Sequence, residues 1–293
     1  MAPRKKKRNQ LTPEQRQERL RAAHDTLTGA VESLTTEEGW QAMIRSRAWL
    51  RRYSLGNLLM IVAQNEDATD VRPYGEWKNA GRYVRKGERG IRIFAPLRYR
   101  VQDDEDNPVS DRDGNPRYAV RAFTVVSVFD VSQTDGEPLP TTDQATPRVL
   151  EGAAPARLWD AIADQITTRG YAIERGDTAP ANGWVNFDTR TVRVREDVDD
   201  AQAVKTLVHE LAHIACEHNT RDVRRATGEV EAESVACLVT AMAGLDSLPY
   251  SVPYVAGWAK DAETARASAD RVLTVADAIV STLTATVPDT VAA

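Results

Sequence analysis

Two of the four histidines in this 293-residue chain stand in the run His209-Glu210-Leu211-Ala212-His213. Positions i and i+4 share one face of a helix, so both imidazoles can bind one tetrahedral Zn²⁺ while Glu210 serves as general base toward a water in the open position. An HExxH run arises by chance in roughly four of a thousand chains of this composition, so the spacing carries weight. A hydrolytic zinc also needs a third protein ligand. Glu229 and Glu233, four residues apart on the next helical stretch, share a face; one would ligate and the other would hydrogen-bond a ligand histidine, while Glu231 points away. Leu207, Val208, Leu211, Ala212 and Ile214 make the segment too apolar for a helix of surface ion pairs, and ionisable groups in such surroundings need a partner. The chemistry expected is zinc-assisted peptide hydrolysis, one ion per chain, with Glu210 as the catalytic base. His218, Tyr250 and Tyr254 are the groups available to steady an oxyanion. Thr191 to Arg195 is expected as the edge strand on which an extended peptide lies. Cys216 and Cys237 read as small buried hydrophobes.

The elements that must position these residues can be read from spacing. Asp199 and Asp200 cap a helix expected from Ala201 to about His218, and a second runs from about Gly228 to Met242. A helix over residues 156–169 precedes them, Trp184–Phe187 and Thr191–Arg195 form a β-hairpin, and an amphipathic helix from Ala262 to Leu283 follows. Upstream, Thr12, Pro13 and Gln15 open a helix carrying Leu20, Ala23, Leu27, Val31 and Leu34. Another helical stretch begins after Thr36, carries Trp40, Ile44, Trp49 and Tyr53, and continues to Ala63 with a break or close packing near Gly56. From Tyr74 the texture turns to short β-type runs at 83–84, 91–94 and 118–129, with 103–116 as an exposed hairpin loop. The expected fold class is α+β in two domains, the second mainly helical with a small sheet. Residues 1–10 would be a flexible basic arm, 11–131 the first domain, 132–155 a proline-containing linker and 156–293 the second domain.

With 42% hydrophobic and 28% charged residues the chain is too apolar to be disordered. Two cysteines leave no disulfide framework and no four-thiolate metal site, which fits a reducing cytoplasm. The basic start MAPRKKKRNQ has no apolar segment of a signal peptide behind it, and no apolar run reaches the roughly 18 residues of a membrane span, so a cytoplasmic protein with no membrane partner is expected. The net charge of −5 hides an asymmetry: residues 1–100 carry 21 Lys+Arg against 11 Asp+Glu, so the remainder carries 17 against 32. Only the first part suits a polyanion. Residues 40–129 also hold 11 of the 18 aromatics, interleaved with cations, the composition by which single-stranded nucleic acid is held through phosphate contacts and base stacking. The densest segment runs from Gly81 to Gly90, a plausible phosphate-contacting turn.

Tyr53-Ser54-Leu55-Gly56-Asn57-Leu58-Leu59, Trp77, the segment Gly81-Arg82-Tyr83-Val84-Arg85-Lys86-Gly87-Glu88-Arg89-Gly90-Ile91 and Val128-Phe129-Asp130-Val131-Ser132-Gln133-Thr134 resemble the N-terminal single-stranded-DNA-binding domain of ArdC-type antirestriction proteins. The second half resembles the zincin-like metallopeptidase domain that follows it in that family, and its HExxH-plus-Glu pattern is similar to that of ImmA/IrrE-type peptidases. The gluzincin likeness, a ligand Glu followed by an acid four residues later, implies Glu229 as the third ligand and Glu233 as the support of a ligand histidine. The resemblance covers most of residues 12–260. It implies DNA contacts from Arg51, Arg52, Tyr53, Asn57, Trp77, Lys78, Arg82, Tyr83, Arg85, Lys86 and Arg89, and a role in protecting the incoming DNA of a mobile element from restriction. Two other functions fit the same residues: a DNA-dependent zinc protease that cleaves DNA-bound or regulatory proteins, and a single-strand-binding protein whose zinc is purely structural.

Overall fold

The computed structural model describes residues 12–101, 118–137, 157–243, 245 and 258–286. The basic arm, the expected loop at 103–116, most of the expected linker, Tyr250 and Tyr254 lie outside the described residues. The described residues fall into two compact units that are not contiguous in sequence, one within 1–30 and 59–137 and the other within 31–58 and 138–293.

In the first unit, helix α1 (Pro13–Ser33), most of which belongs here, starts with the expected capping box: the Thr12 N–H donates to Gln15 Oε1 and the Gln15 N–H to Thr12 Oγ1. Strands β1 (Val71–Pro73), β4 (Tyr118–Asp130) and β3 (Ile91–Arg100) form an antiparallel sheet in that order, while β2 (Arg82–Val84) pairs with β5 (Thr134–Gly136). A short helix, α4 (Tyr74–Asn79), links β1 to β2. Ile91, Ile93 and Val128 are buried with Val71 and Trp77, as a half-buried sheet requires of its alternating side chains. The outer part of the β3–β4 ribbon is different, since Leu97, Tyr99, Val120 and Phe123 are exposed. Buried Asp130 ties this unit together. Its carboxylate accepts the N–H groups of Thr69, Asp70 and Ser132, and Gln133 returns a bond from the Asp130 N–H while donating to Glu88 and the Arg89 carbonyl.

The second unit contains α2 (Glu37–Trp49), capped by Thr36, whose hydroxyl accepts the Gly39 N–H at 3.1 Å. Trp40, Met43 and Ile44 share one face of it and are buried. The Trp40 indole donates to Ser234 Oγ at 3.0 Å and meets the Trp258 ring edge-on. A boundary drawn at Val131 would put α2 with the β-rich part; its apolar face is instead satisfied by α7 (Arg225–Met242). The helical stretch breaks earlier than Gly56 would suggest: α2 ends at Leu50, and α3 (Leu55–Val62) restarts behind Ser54, with Gly56 inside it.

The remaining elements are α5 (Leu158–Thr168), β6 (Ala172–Gly176), β7 (Gly183–Asn186), β8 (Thr191–Arg195), α6 (Asp200–Ala215), α7 and α8 (Ala262–Thr286). The sheet order is β6-β8-β7, parallel between β6 and β8 and antiparallel between β8 and β7. This corrects the expected edge: Thr191–Arg195 is the central strand, with Val192 and Val194 fully buried, because the weakly β-like Ala172–Gly176 covers its outer side. The open edge beside α6 is β7. Among the described residues no helix is long and apolar enough to cross a membrane.

Candidate metal centre

Asp199 caps α6 by accepting the Gln202 N–H at 2.8 Å. Val204, Leu207, Val208, Leu211 and Ala212 fill the core, which leaves the HExxH residues on the stripe that faces a cleft of about 710 Å³. Its walls are Lys205, His209, Glu210 and His213 on α6, Ala181 and Asn182 with the β7 edge from Gly183 to Val185, and Arg225, Glu229 and Glu233 on α7.

His209 Nε2 and His213 Nε2 lie 3.1 Å apart, and Glu229 Oε2 lies 3.6 Å from the first and 3.8 Å from the second. Ligand atoms on a tetrahedral zinc with bonds of about 2.0–2.2 Å are about 3.3 Å apart, so these three fit one face of the tetrahedron. The outer nitrogens also have partners: His209 Nδ1 is 3.0 Å from Glu233 Oε2, and His213 Nδ1 is 2.8 Å from His218 Nδ1. Two imidazole lone pairs and a carboxylate converging in this way call for a cation.

Without a metal, a proton takes that place. Burial opposes a charge on His209, but its hydrogen bonds to Glu229 and Glu233 outweigh burial and raise it to about 9. The same histidines, His209 first, hold Glu229 far below the ordinary carboxylate range. Burial alone would raise Glu233; His209 and Lys205, whose ammonium lies 2.6 Å from Oε1, reverse that and bring it to about 2. Glu229 therefore faces the histidine pair while Glu233 backs His209 and is anchored by Lys205.

Glu210 is nearly buried, and desolvation raises its carboxyl above the ordinary value despite the two neighbouring histidines and the Val185 amide. Gly183 permits this approach. A Cβ there would stand 2.5 Å from Thr206 Cγ2 and 2.8 Å from the Arg193 carbonyl oxygen, and 3.4 Å from Glu210 Oε1.

His218 is not in the cleft. The motif helix stops at Ala215 rather than running to His218, and Glu217 takes a left-handed conformation with φ of 58°. The His218 N–H then bonds the His213 carbonyl and the Glu217 N–H the Ile214 carbonyl, a Schellman ending with glutamate where glycine is usual. The turn folds the His218 ring back behind His213, with Nδ1 facing His213 and Nε2 facing Glu231, so neither nitrogen is directed at an oxyanion. Cys216 is buried, and burial followed by nearby Glu231 pushes its thiol up to about 12, in keeping with a small hydrophobe. Cys237 is buried too, with its sulfur 3.9 Å from Glu233 Oε1.

The residues expected to touch DNA divide between the units. Arg51, Arg52, Tyr53 and Asn57 lie in the second; the two arginines are exposed, and Arg52 stacks on Tyr53 at 5.4 Å. In the first unit, Trp77 cannot stack on a base: it is fully buried, donates to the Phe129 carbonyl and is covered by Arg72. Arg82 staples β2 to β5 through Thr134 and the Glu137 carbonyl, and Arg85 is engaged by Glu88 and the Ser132 carbonyl. Lys78, Tyr83, Lys86 and Arg89 are exposed, the last three around the turn at Gly87, whose φ of 94° suits glycine. Tyr74, Tyr99 and Phe123, which the motif segments do not single out, are exposed aromatics of the same unit.

Residues 17–129 match the family model of the N-terminal domain of anti-restriction factor ArdC. That stretch is thus similar to the ArdC N-terminal domain. The fold of the chain is similar to the metal-free crystal structure of the antirestriction ArdC protein from the R388 plasmid, with a TM-score of 0.52 at 20% identity, over 88% of this chain and 99% of that one. It is also 24% identical to an uncharacterized Bacillus anthracis protein, pXO2-81, over 88% of this chain and 50% of that protein. The chain thus spans about half the length of that relative.

Proposed function

We propose that this ArdC-like protein binds DNA, single strands in preference to duplex, holds one Zn²⁺ at His209, His213 and Glu229, and acts in the protection of a mobile element's DNA from restriction. The observation that carries the reading is the convergence of two Nε2 atoms and one carboxylate oxygen on a single point in a chain with an ArdC N-terminal domain. The basic balance of residues 1–100 and the exposed Tyr83, Tyr99 and Phe123 support contacts to phosphates and unpaired bases. Two buried thiols suit a reducing cytoplasm.

A bound zinc ion would supply Lewis acidity, polarising a carbonyl and lowering the pKa of a water to about 7. Glu210, whose carboxyl burial raises above its ordinary value, would take a proton in the cleft and return it to a leaving amine. The β7 edge gives an extended peptide backbone something to pair with, and Glu233 keeps the His209 ring oriented.

The test uses the full chain. Elemental analysis should find one zinc in the wild type and none in His213→Ala. A titration should show salt-sensitive preference for single strands, with log K falling by about 0.7 per decade of salt for each phosphate neutralised. Equal affinity for both DNA forms sinks the single-strand half of the proposal, and a wild type without metal sinks the other. Because Glu210 and an open strand edge share the cleft, a DNA-dependent protease is the second reading. Glu210→Gln should keep zinc and DNA binding; loss of restriction protection in that variant favours the protease, and full protection favours a structural zinc.

A further inference from the structure

Behind the histidine pair lies a chain of buried groups that metal binding by three ligands does not itself require. His213 Nδ1 is 2.8 Å from His218 Nδ1, and His218 Nε2 is 3.0 Å from Oε2 of Glu231, a fully buried carboxylate. Arg221 donates to Glu231 Oε2 at 2.7 Å and Ser268 donates to Oε1 at 2.6 Å. An ionised carboxylate only accepts, so the proton between Glu231 and His218 sits on His218 Nε2. A neutral ring protonated there has a bare Nδ1, and that lone pair needs the proton of His213 Nδ1. The consequence is a His213 Nε2 left bare and aimed at the point shared with His209 Nε2 and Glu229.

We propose that His218 and Glu231 are positioning residues, a two-step relay that locks His213 in the tautomer and orientation in which Nε2 faces a metal ion. The relay rests on the metal reading above and goes beyond it by assigning work to two residues outside the cleft. Glu233 does the same for His209 in one step, so the two ligand histidines are supported from opposite sides of α7. Cys216, His218 and Glu231 could themselves suggest a second metal site, their ligand atoms lying within 4.8 Å of one another. That option fails because Arg221 and Ser268 already occupy both Glu231 oxygens and His218 Nδ1 is turned to His213.

The experiment labels the four histidines of the full chain with ¹⁵N and reads ring protonation by two-bond ¹H–¹⁵N correlation, beside zinc affinity from chelator competition. In the wild type, His218 is expected to be protonated at Nε2 with a bare Nδ1, and His213 to carry its proton on Nδ1. A His218 protonated at Nδ1 overturns the relay, and this measurement needs no variant. His218→Asn keeps an acceptor at the Nδ1 position and should bind zinc within about five-fold of the wild type, whereas His218→Phe, nearer in shape but without an acceptor, should lose about 10–100-fold. The opposite ranking means that His218 only fills space. Undiminished affinity in His218→Phe overturns the relay while the metal reading stands; a wild type that takes up no zinc overturns both.

Discussion

At the scale of the residue, the centre is an arrangement of opposite charges in which a proton on His209 holds the place proposed for a metal ion. In the metal-free protein His209 is raised from 6.5 to about 9, so the stability it contributes is fully present below 6.5 and is lost as pH rises through 9. Glu231 and Glu233 are lowered from 4.5 to about 2; burial opposes this, but His218, Arg221 and Ser268 act on the first and His209 and Lys205 on the second. Their contribution is present above 4.5 and is lost as pH falls toward 2. The thermal stability of the metal-free protein should therefore be highest between about pH 4.5 and 6.5 and decline on both sides, as read from its melting temperature. In the proposed centre a zinc ion would take the place of the His209 proton, so the zinc-loaded protein should lose the alkaline decline between 6.5 and 9 and release a proton on binding. A flat metal-free profile from 6.5 to 9 would show that His209 is not coupled to Glu229 and Glu233.

At the scale of the element, two short features place the chemistry. The end of α6 turns on Glu217, a non-glycine residue in the left-handed region, which costs about 1 kcal/mol relative to glycine there. Glu217→Gly should accordingly raise the melting temperature by about 2–3 °C and leave zinc affinity unchanged, since the bonds from His218 and Glu217 to α6 persist. A fall in either quantity would mean that the exposed Glu217 side chain does something the backbone does not reveal. In the first unit, Asp130 accepts three backbone N–H groups from a buried position. Asp130→Ala leaves those donors unpaired and should cost about 2–4 kcal/mol. The loss should appear as denaturant sensitivity of the first unit, with the zinc content of the chain preserved.

At the scale of the molecule, the second unit takes α2 from a region far upstream of its other elements. Trp40 packs against Trp258 and donates to Ser234, while Arg47, itself buried, pairs with Asp277 on α8. A fragment of residues 156–293 lacks all of this and exposes the apolar surface that α2 covers. It should fold poorly and bind zinc weakly, and in the full chain Trp40→Ala should cost about 3–5 kcal/mol. A fragment with native zinc affinity and a cooperative melt would show that α2 is dispensable to the centre.

The sequence by itself determined what is local. HExxH at i and i+4 and the pairing of Glu229 with Glu233 on one helical face follow from the 3.6-residue period, the caps at Thr12 and Asp199 follow from side chains that accept a backbone N–H, and the structure carries each of them. The α+β class was legible for the same reason. Only the tertiary structure decided which aromatics face solvent, because burial depends on what packs above a residue: Trp77 is core, while Tyr99 and Phe123 are exposed. It also decided that β8 is central and β7 the edge, since the pairing of β6 with β8 is a long-range contact without a strong strand signal of its own. The allegiance of α2 to α7 is of the same kind, for an apolar stripe states that a helix must be covered but not by what. His218 is the clearest instance: a backbone reversal at Glu217 and a buried carboxylate on a neighbouring helix turn it from a cleft residue into a support for His213.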